Sequence, residues 1–276
     1  MTGLARDFFH ALPGTPGRAG ERLAVTRQSA AVPGSAAAPP TAVLLHGAGN
    51  GSKERLRPLL GEFAGRGCDA LAFDFSGHGD SSGRLRELSL RRRFEQAVAV
   101  IDAQVERAAP LVLVGFSMSG QTVADLAAHY GDRIAALALC APGIYAAGAW
   151  ELPFGQSDGP FTRLIRTPGS WRDSPALDAL RAYTGRAVLA VPGTDAVIPA
   201  AVTDAVQDAL TTRARFTRLE LPDATTPSPP GCATTPPPAA TWWPGCWTGR
   251  ATAADAGHPG GVGCPVVGRA VSGCSA

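Results

Sequence analysis

Two short stretches of this 276-residue chain place side chains and amides where nucleophilic chemistry would use them. In LVLVGFSMSG (111–120) an apolar run leads straight into Ser117, with Gly115 two positions before it and Ser119 two after. A serine hydroxyl can attack a carbonyl carbon when a sharp turn between strand and helix lifts it clear of the backbone. Such a turn needs small residues on both sides, because neighbouring chain passes close by. Glycine is usual at both flanks, so Ser119 is a mild departure. The helix that follows would start beneath the hydroxyl and turn its positive end toward it.

The second stretch, HGAGNG (46–51), ends another apolar run. Its glycines let backbone N–H groups face a ligand. Two such donors aimed at a developing oxyanion lower a barrier by roughly 3–4 kcal/mol each. The amides of Ala48 and Met118 are the ones so placed. His46 reads as a structural residue that fixes the loop. A phosphate-binding loop is excluded, since its Lys-Ser/Thr pair is missing.

Taken with DFSGHGDSSG (74–83) and VPGTDAVIP (191–199), these motifs resemble the α/β-hydrolase superfamily, in particular its small bacterial esterases and serine-aminopeptidase-like members. The resemblance spans about residues 20–222. It implies a serine hydrolase that cleaves carboxylic ester, thioester or peptide bonds with a Ser-His-Asp triad. Ser117 then stands as nucleophile and Asp195 as the acid that orients the histidine. Asp74, His78 and Asp80 fall in a turn that the family uses structurally. The substrate would be a small acyl compound, and no cofactor or metal is implied. Lyase or cofactor-free haloperoxidase chemistry shares the same residues and stays open.

The elements that must position these residues follow from periodicity. Short apolar runs at 41–46, 69–74, 111–116, 134–140, 187–192 and 216–221 have the character of strands buried on both faces. Helical spacing lies between them. Ser52 can cap a helix through Leu56, Leu59, Leu60 and Phe63. Residues 89–107 align Phe94, Ala97, Val98, Ile101 and Val105 on one face. Further helices are expected after Ser117 and over about 200–212. The alternation predicts an α/β fold, a doubly wound and mostly parallel sheet with helices on both faces, lacking its C-terminal helix. Residues 1–40 hold a short helix candidate, a strand at 21–28 and a linker. The interval 144–184, with Trp150, Phe154, Phe161 and Trp171, is too long for a loop and is a candidate lid.

In this fold the base follows the last strand, which places a histidine near residues 223–228. The chain reads Asp223-Ala224-Thr225-Thr226-Pro227 instead, and the next histidine is His258. The 54 residues from 223 onward contain no Leu, Ile, Phe, Met or Glu, but nine Pro and nine Gly, three of the five Trp and four of the six Cys. That composition gives little to bury against a sheet. We therefore divide the chain into a hydrolase domain at 1–222 and an anomalous tail at 223–276, disordered or read in a shifted frame. One base restored at Thr225–Thr226 would turn the ACN codon of Thr226 into CAC, a histidine. Every Cys and Trp codon would become Leu, Val or Met, giving aliphatic residues at helical spacing at 242, 243, 246 and 247. On this reading the chain as it stands has lost its base, and a catalytically inactive pseudo-hydrolase is the alternative. His258 would serve only if the tail folded back.

Composition narrows the rest. A formal charge of +2 suggests no nucleic-acid partner, and Arg91-Arg92-Arg93, the densest basic cluster, reads as a solvated helix face. No segment approaches a membrane span and the N-terminus has no signal-peptide pattern, so a cytoplasmic location is expected. Cys68 and Cys140 sit in apolar surroundings as small buried residues. The tail cysteines lack the C-x-x-C pairs of a zinc site. Oligomeric state is not legible.

Overall fold

Strands that are apolar on both faces must sit inside a sheet with helices on either side. The computed structural model describes residues 4–14, 19–31 and 39–226. Eight strands form one sheet: β1 (Ala5–Leu12), β2 (Glu21–Gln28), β3 (Thr41–Leu45), β4 (Asp69–Phe73), β5 (Leu111–Phe116), β6 (Ile134–Cys140), β7 (Arg186–Asp195) and β8 (Arg215–Thr226). Their spatial order is β1-β2-β4-β3-β5-β6-β7-β8. The β1–β2 and β2–β4 pairings are antiparallel and the others parallel. The α-helices are α1 (Arg57–Gly65), α2 (Leu90–Gln104), α3 (Ser119–Tyr130), α4 (Pro160–Arg166), α5 (Pro175–Ala182) and α6 (Ala200–Thr211).

Two cores lie on the two faces. Leu59, Leu60 and Phe63 of α1 pack on Ala42, Leu44, Ala70, Ala72, Val112 and Val114. The alternate residues Val43, Leu45, Leu71, Phe73, Leu111 and Leu113 meet α2, α3, α5 and α6 on the other side. β3 and β5 are therefore neighbours whose following helices depart to opposite faces. The crevice at their carboxyl ends is where an open α/β sheet binds its ligands.

Four expectations need correction or extension. The N-terminal helix is instead the edge strand β1, in which Phe8, His10 and Leu12 alternate toward the body while the intervening residues are exposed; a period of two, not 3.6, governs it. Ser52 makes no side-chain cap; the Lys53 amide instead donates to Asp74 Oδ1 at 2.6 Å, so a carboxylate from a distant turn takes the donor. β8 continues to Thr226, because Thr194 and Asp195 still pair with Thr225 and Thr226. The basic triplet is not a solvated face: Arg91 is exposed, Arg92 pairs with Glu21, and Arg93 is fully buried.

The insertion between β6 and β7 holds α4 and α5. Phe154 and Phe161 stack inside it at 4.6 Å and Trp150 packs on Phe94 of α2 at 5.8 Å, so its aromatic residues fasten it to the body. The tail from residue 227, with His258 and the cysteines beyond it, lies outside the described residues. Among the described residues no helix is long and apolar enough to cross a membrane.

Candidate active site

Ser117 occupies the bend between β5 and α3 with φ of +50°. A side chain in that region costs on the order of 1–3 kcal/mol and persists only where its surroundings enforce it. Three backbone bonds do so. The Ser117 amide donates to the Cys140 carbonyl at 2.9 Å, and its carbonyl accepts from Gly120 and Gly143, each at 2.8 Å. Close packing explains the small flanking residues. A Cβ on Gly115 would lie 2.6 Å from Val123 Cγ2 and 2.7 Å from the Ser119 carbonyl, and one on Gly120 would lie 2.6 Å from Pro142.

The loop after β3 reaches the same spot. A Cβ on Gly47 would stand 3.2 Å from Ser117 Cβ and 3.8 Å from its Oγ. Within the described residues, neither the Ala48 nor the Met118 amide donates a hydrogen bond to a protein acceptor.

His46 is buried behind this loop. The Phe75 amide donates to its Nε2 at 3.1 Å, which fixes the proton on Nδ1, 2.6 Å from the Gly47 carbonyl. Burial, then the charge of Arg93 and the neighbouring His78, holds its pKa well below the ordinary value. With both ring nitrogens engaged, it has no lone pair to offer Ser117. Asp74 is equally committed: it caps Lys53 and accepts from Asp80, and a Cβ on Gly79 would strike its carboxylate. Ser81 and Ser82 bind this turn to β2 through the amides of Ala24 and Arg22. The 74–83 segment is thus a brace for the site.

Asp195 ends β7, on the same carboxyl edge of the sheet as Ser117. Its Oδ1 accepts from the amides of Val197 and Ile198, both at 2.8 Å. Its Oδ2 is buried and, among the described residues, has no hydrogen-bond partner. The two ends meet through Gly143, which bonds the Ser117 carbonyl and whose Cβ would lie 3.5 Å from Ile198. The strand register sets the backbone of residue 226 beside Asp195.

Several residues of the site were not read from the sequence. Gln121, in the first turn of α3, donates to Asp125 at 2.9 Å and accepts from the Tyr145 amide and the Ser174 hydroxyl, tying the bend to the insertion. Burial pushes the Asp125 carboxyl up to about 7. Arg93 joins the two loops from below. Its signal was spacing: four residues before Ala97 and eight before Ile101, it belongs to the apolar face of α2. A cleft of about 320 Å³ in the insertion is bordered by Leu152, Pro153, Gln156, Pro160 and Arg163 among others, but by neither Ser117 nor Asp195. Among the described residues no group of His, Cys, Asp and Glu could hold a metal ion.

A parallel sheet with a strained serine bend and a glycine loop at its switch point defines the α/β-hydrolase fold. The model of the serine aminopeptidase (S33) family matches residues 38–164, which include the loop, the brace and the bend. The chain thus has the α/β-hydrolase fold, and its segment 38–164 is similar to the serine aminopeptidase family. It is similar to the esterase Est1E of Butyrivibrio proteoclasticus in complex with ferulic acid, at 19% identity and a TM-score of 0.54 over 74% of this chain and 87% of that one. Esterase 2 of Thermogutta terrifontis, phosphoramylated by tabun, gives 16% and 0.55 over 79% and 84%. The thioesterase domain of the curacin biosynthetic pathway gives 14% and 0.56 over 79% and 93%. No curated protein matches the chain.

Proposed function

We propose that this chain is built to cleave carboxylic ester or related acyl bonds through Ser117, and that it has lost the histidine that would activate it. The observation that carries the reading is Ser117 itself, held at positive φ beside Gly47, with the amides of Ala48 and Met118 unbonded among the described residues. With a base in place, the hydroxyl would give up its proton to that base and attack the acyl carbon, and the oxyanion would rest on the amides of Ala48 and Met118. The alcohol or related leaving group would depart with that proton, and water would release the acyl group as the free acid. Asp195 would orient a base bonded to its Oδ2.

The base belongs at residue 226, which the register sets beside Asp195 and where the chain carries threonine. A binding protein that holds an acyl ligand without turning it over is the second reading, favoured by that threonine and by an Oδ2 without a partner among the described residues. Esters, thioesters and peptides share this chemistry, and the fold does not choose among them. The test is covalent labelling with a fluorophosphonate alongside turnover of a p-nitrophenyl ester. We expect slow labelling confined to Ser117, lost in Ser117→Ala, and hydrolysis that rises in Thr226→His. Labelling elsewhere would overturn the nucleophile. No gain in Thr226→His would overturn the position given to the base.

A further inference from the structure

Arginine is seldom buried without a carboxylate, because desolvating a lone cation is costly. Arg93 is fully inaccessible, and no acidic group lies within ion-pair distance of it among the described residues. Its Nη2 donates to the His46 carbonyl at 2.8 Å and to the Ser119 hydroxyl at 2.7 Å. Ser119 Oγ donates in turn to the His46 carbonyl at 2.6 Å. The guanidinium lies 3.7 Å above the Phe75 ring. Its Nε and Nη1 have no partner among the described residues. Burial brings its pKa down to about 9, which still leaves it charged at neutral pH.

Its two hydrogen-bond partners join the two halves of the oxyanion site. The His46 carbonyl begins the loop that carries Ala48, and Ser119 follows Met118 at the start of α3. We propose that Arg93 is a positioning residue for acyl transfer, which clamps the loop to the bend through His46 and Ser119 and places an uncompensated positive charge behind the developing oxyanion. The same clamp explains the departure at position 119: the hydroxyl that replaces glycine is the middle of the triangle. A charge in this dry interior acts on the oxyanion over a greater range than it would in water. His46, His78 and Tyr145 are the titratable groups around it, and none is an anion at neutral pH.

This inference rests on Ser117 as nucleophile, and its test does not need the missing base. The oxyanion site and binding alone sustain a residual rate when a triad member is absent. The full chain is treated with p-nitrophenyl butyrate between pH 7 and 9. Acylation of Ser117 is followed by intact mass and p-nitrophenolate release, with Ser117→Ala as blank and urea unfolding as the check on folding. We expect Arg93→Met to slow acylation at least about tenfold and Arg93→Lys, which keeps the charge, to recover most of it. Ser119→Ala, which keeps Arg93 but removes the shared hydroxyl, should slow it by about two- to fivefold. If Arg93→Met does not fold, Arg93→Lys and Ser119→Ala decide. Parent rates in Arg93→Met or Ser119→Ala would overturn the clamp, as would Arg93→Lys no faster than a folded Arg93→Met. No Ser117 adduct in the parent would instead overturn the nucleophile, and this inference with it.

Discussion

The end of β5 and the end of β7 stand on one edge of one sheet, yet they are built differently. At β5 the bend is fastened by the body around it. The Ser117 backbone makes three bonds, the His46 carbonyl receives two donors, and Gly115 and Gly120 touch their neighbours closely. At β7 the chain is open. Gly193, Thr194, Ala196 and Val197 are exposed, β8 presents Thr217, Arg218 and Glu220 to solvent, and Asp195 Oδ2 has no partner among the described residues. Burial and local sterics hold the nucleophile half, whereas the acid half is set against the end of β8.

Completing the open half should give the largest response. In Thr226→His we expect ester turnover to rise by at least ~10²-fold, a part of the loss that accompanies removal of a triad histidine. Asp195→Asn in that background should remove most of the gain while changing the parent by less than about threefold. Steady-state kinetics of the four proteins checks this. An equal effect of Asp195→Asn in both backgrounds would separate position 226 from the acid.

Disrupting the closed half acts on stability instead. Gly115→Val forces side-chain atoms onto Val123 and the Ser119 carbonyl, and should cost about 3 kcal/mol in urea unfolding. Gly193→Ala, on the open side, tests the contrast less cleanly, since its Cβ would meet the Pro222 carbonyl.

The same contrast explains what could be read from the sequence. The serine bend and the glycine loop are legible because strained backbone and close approach restrict residue type there, and the apolar runs mark every parallel strand. Arg93 was not, because three arginines in a row look alike until the helix is phased against Ala97 and Ile101. Strand β1 was missed because its alternation is carried by residues as unlike as Phe8, His10 and Leu12, on an edge with one antiparallel neighbour. The Asp74 cap on Lys53 spans 21 residues, beyond any local pattern.

Asp125 offers a pH-dependent measure of how tightly the closed half is buried. Its carboxyl titrates at about 7 in the native protein, against roughly 3.9 in an unfolded chain. Between those values the native state binds the additional proton, so this group lowers stability as pH rises from about 4 and reaches its full penalty above about 7. Asparagine keeps the acceptor for Gln121 and carries no charge. Asp125→Asn should be more stable than the parent by on the order of a few kcal/mol at pH 8 and nearly equal to it at pH 4. A difference independent of pH would mean that water reaches this carboxylate.

The smallest effect concerns the strain at the bend. If the closed half holds Ser117 at φ of +50° against its preference, a residue without Cβ should relax there. Glycine also gains entropy in the unfolded chain, which offsets part of the benefit. Ser117→Gly should therefore stabilise by about 0.5–1 kcal/mol, with Ser117→Ala near zero because alanine keeps the Cβ and loses only the hydroxyl. Urea unfolding of the two variants gives the difference directly, free of any catalytic readout. Equal stability of glycine and alanine would mean that the bend is unstrained, and that the surrounding packing alone holds Ser117 there.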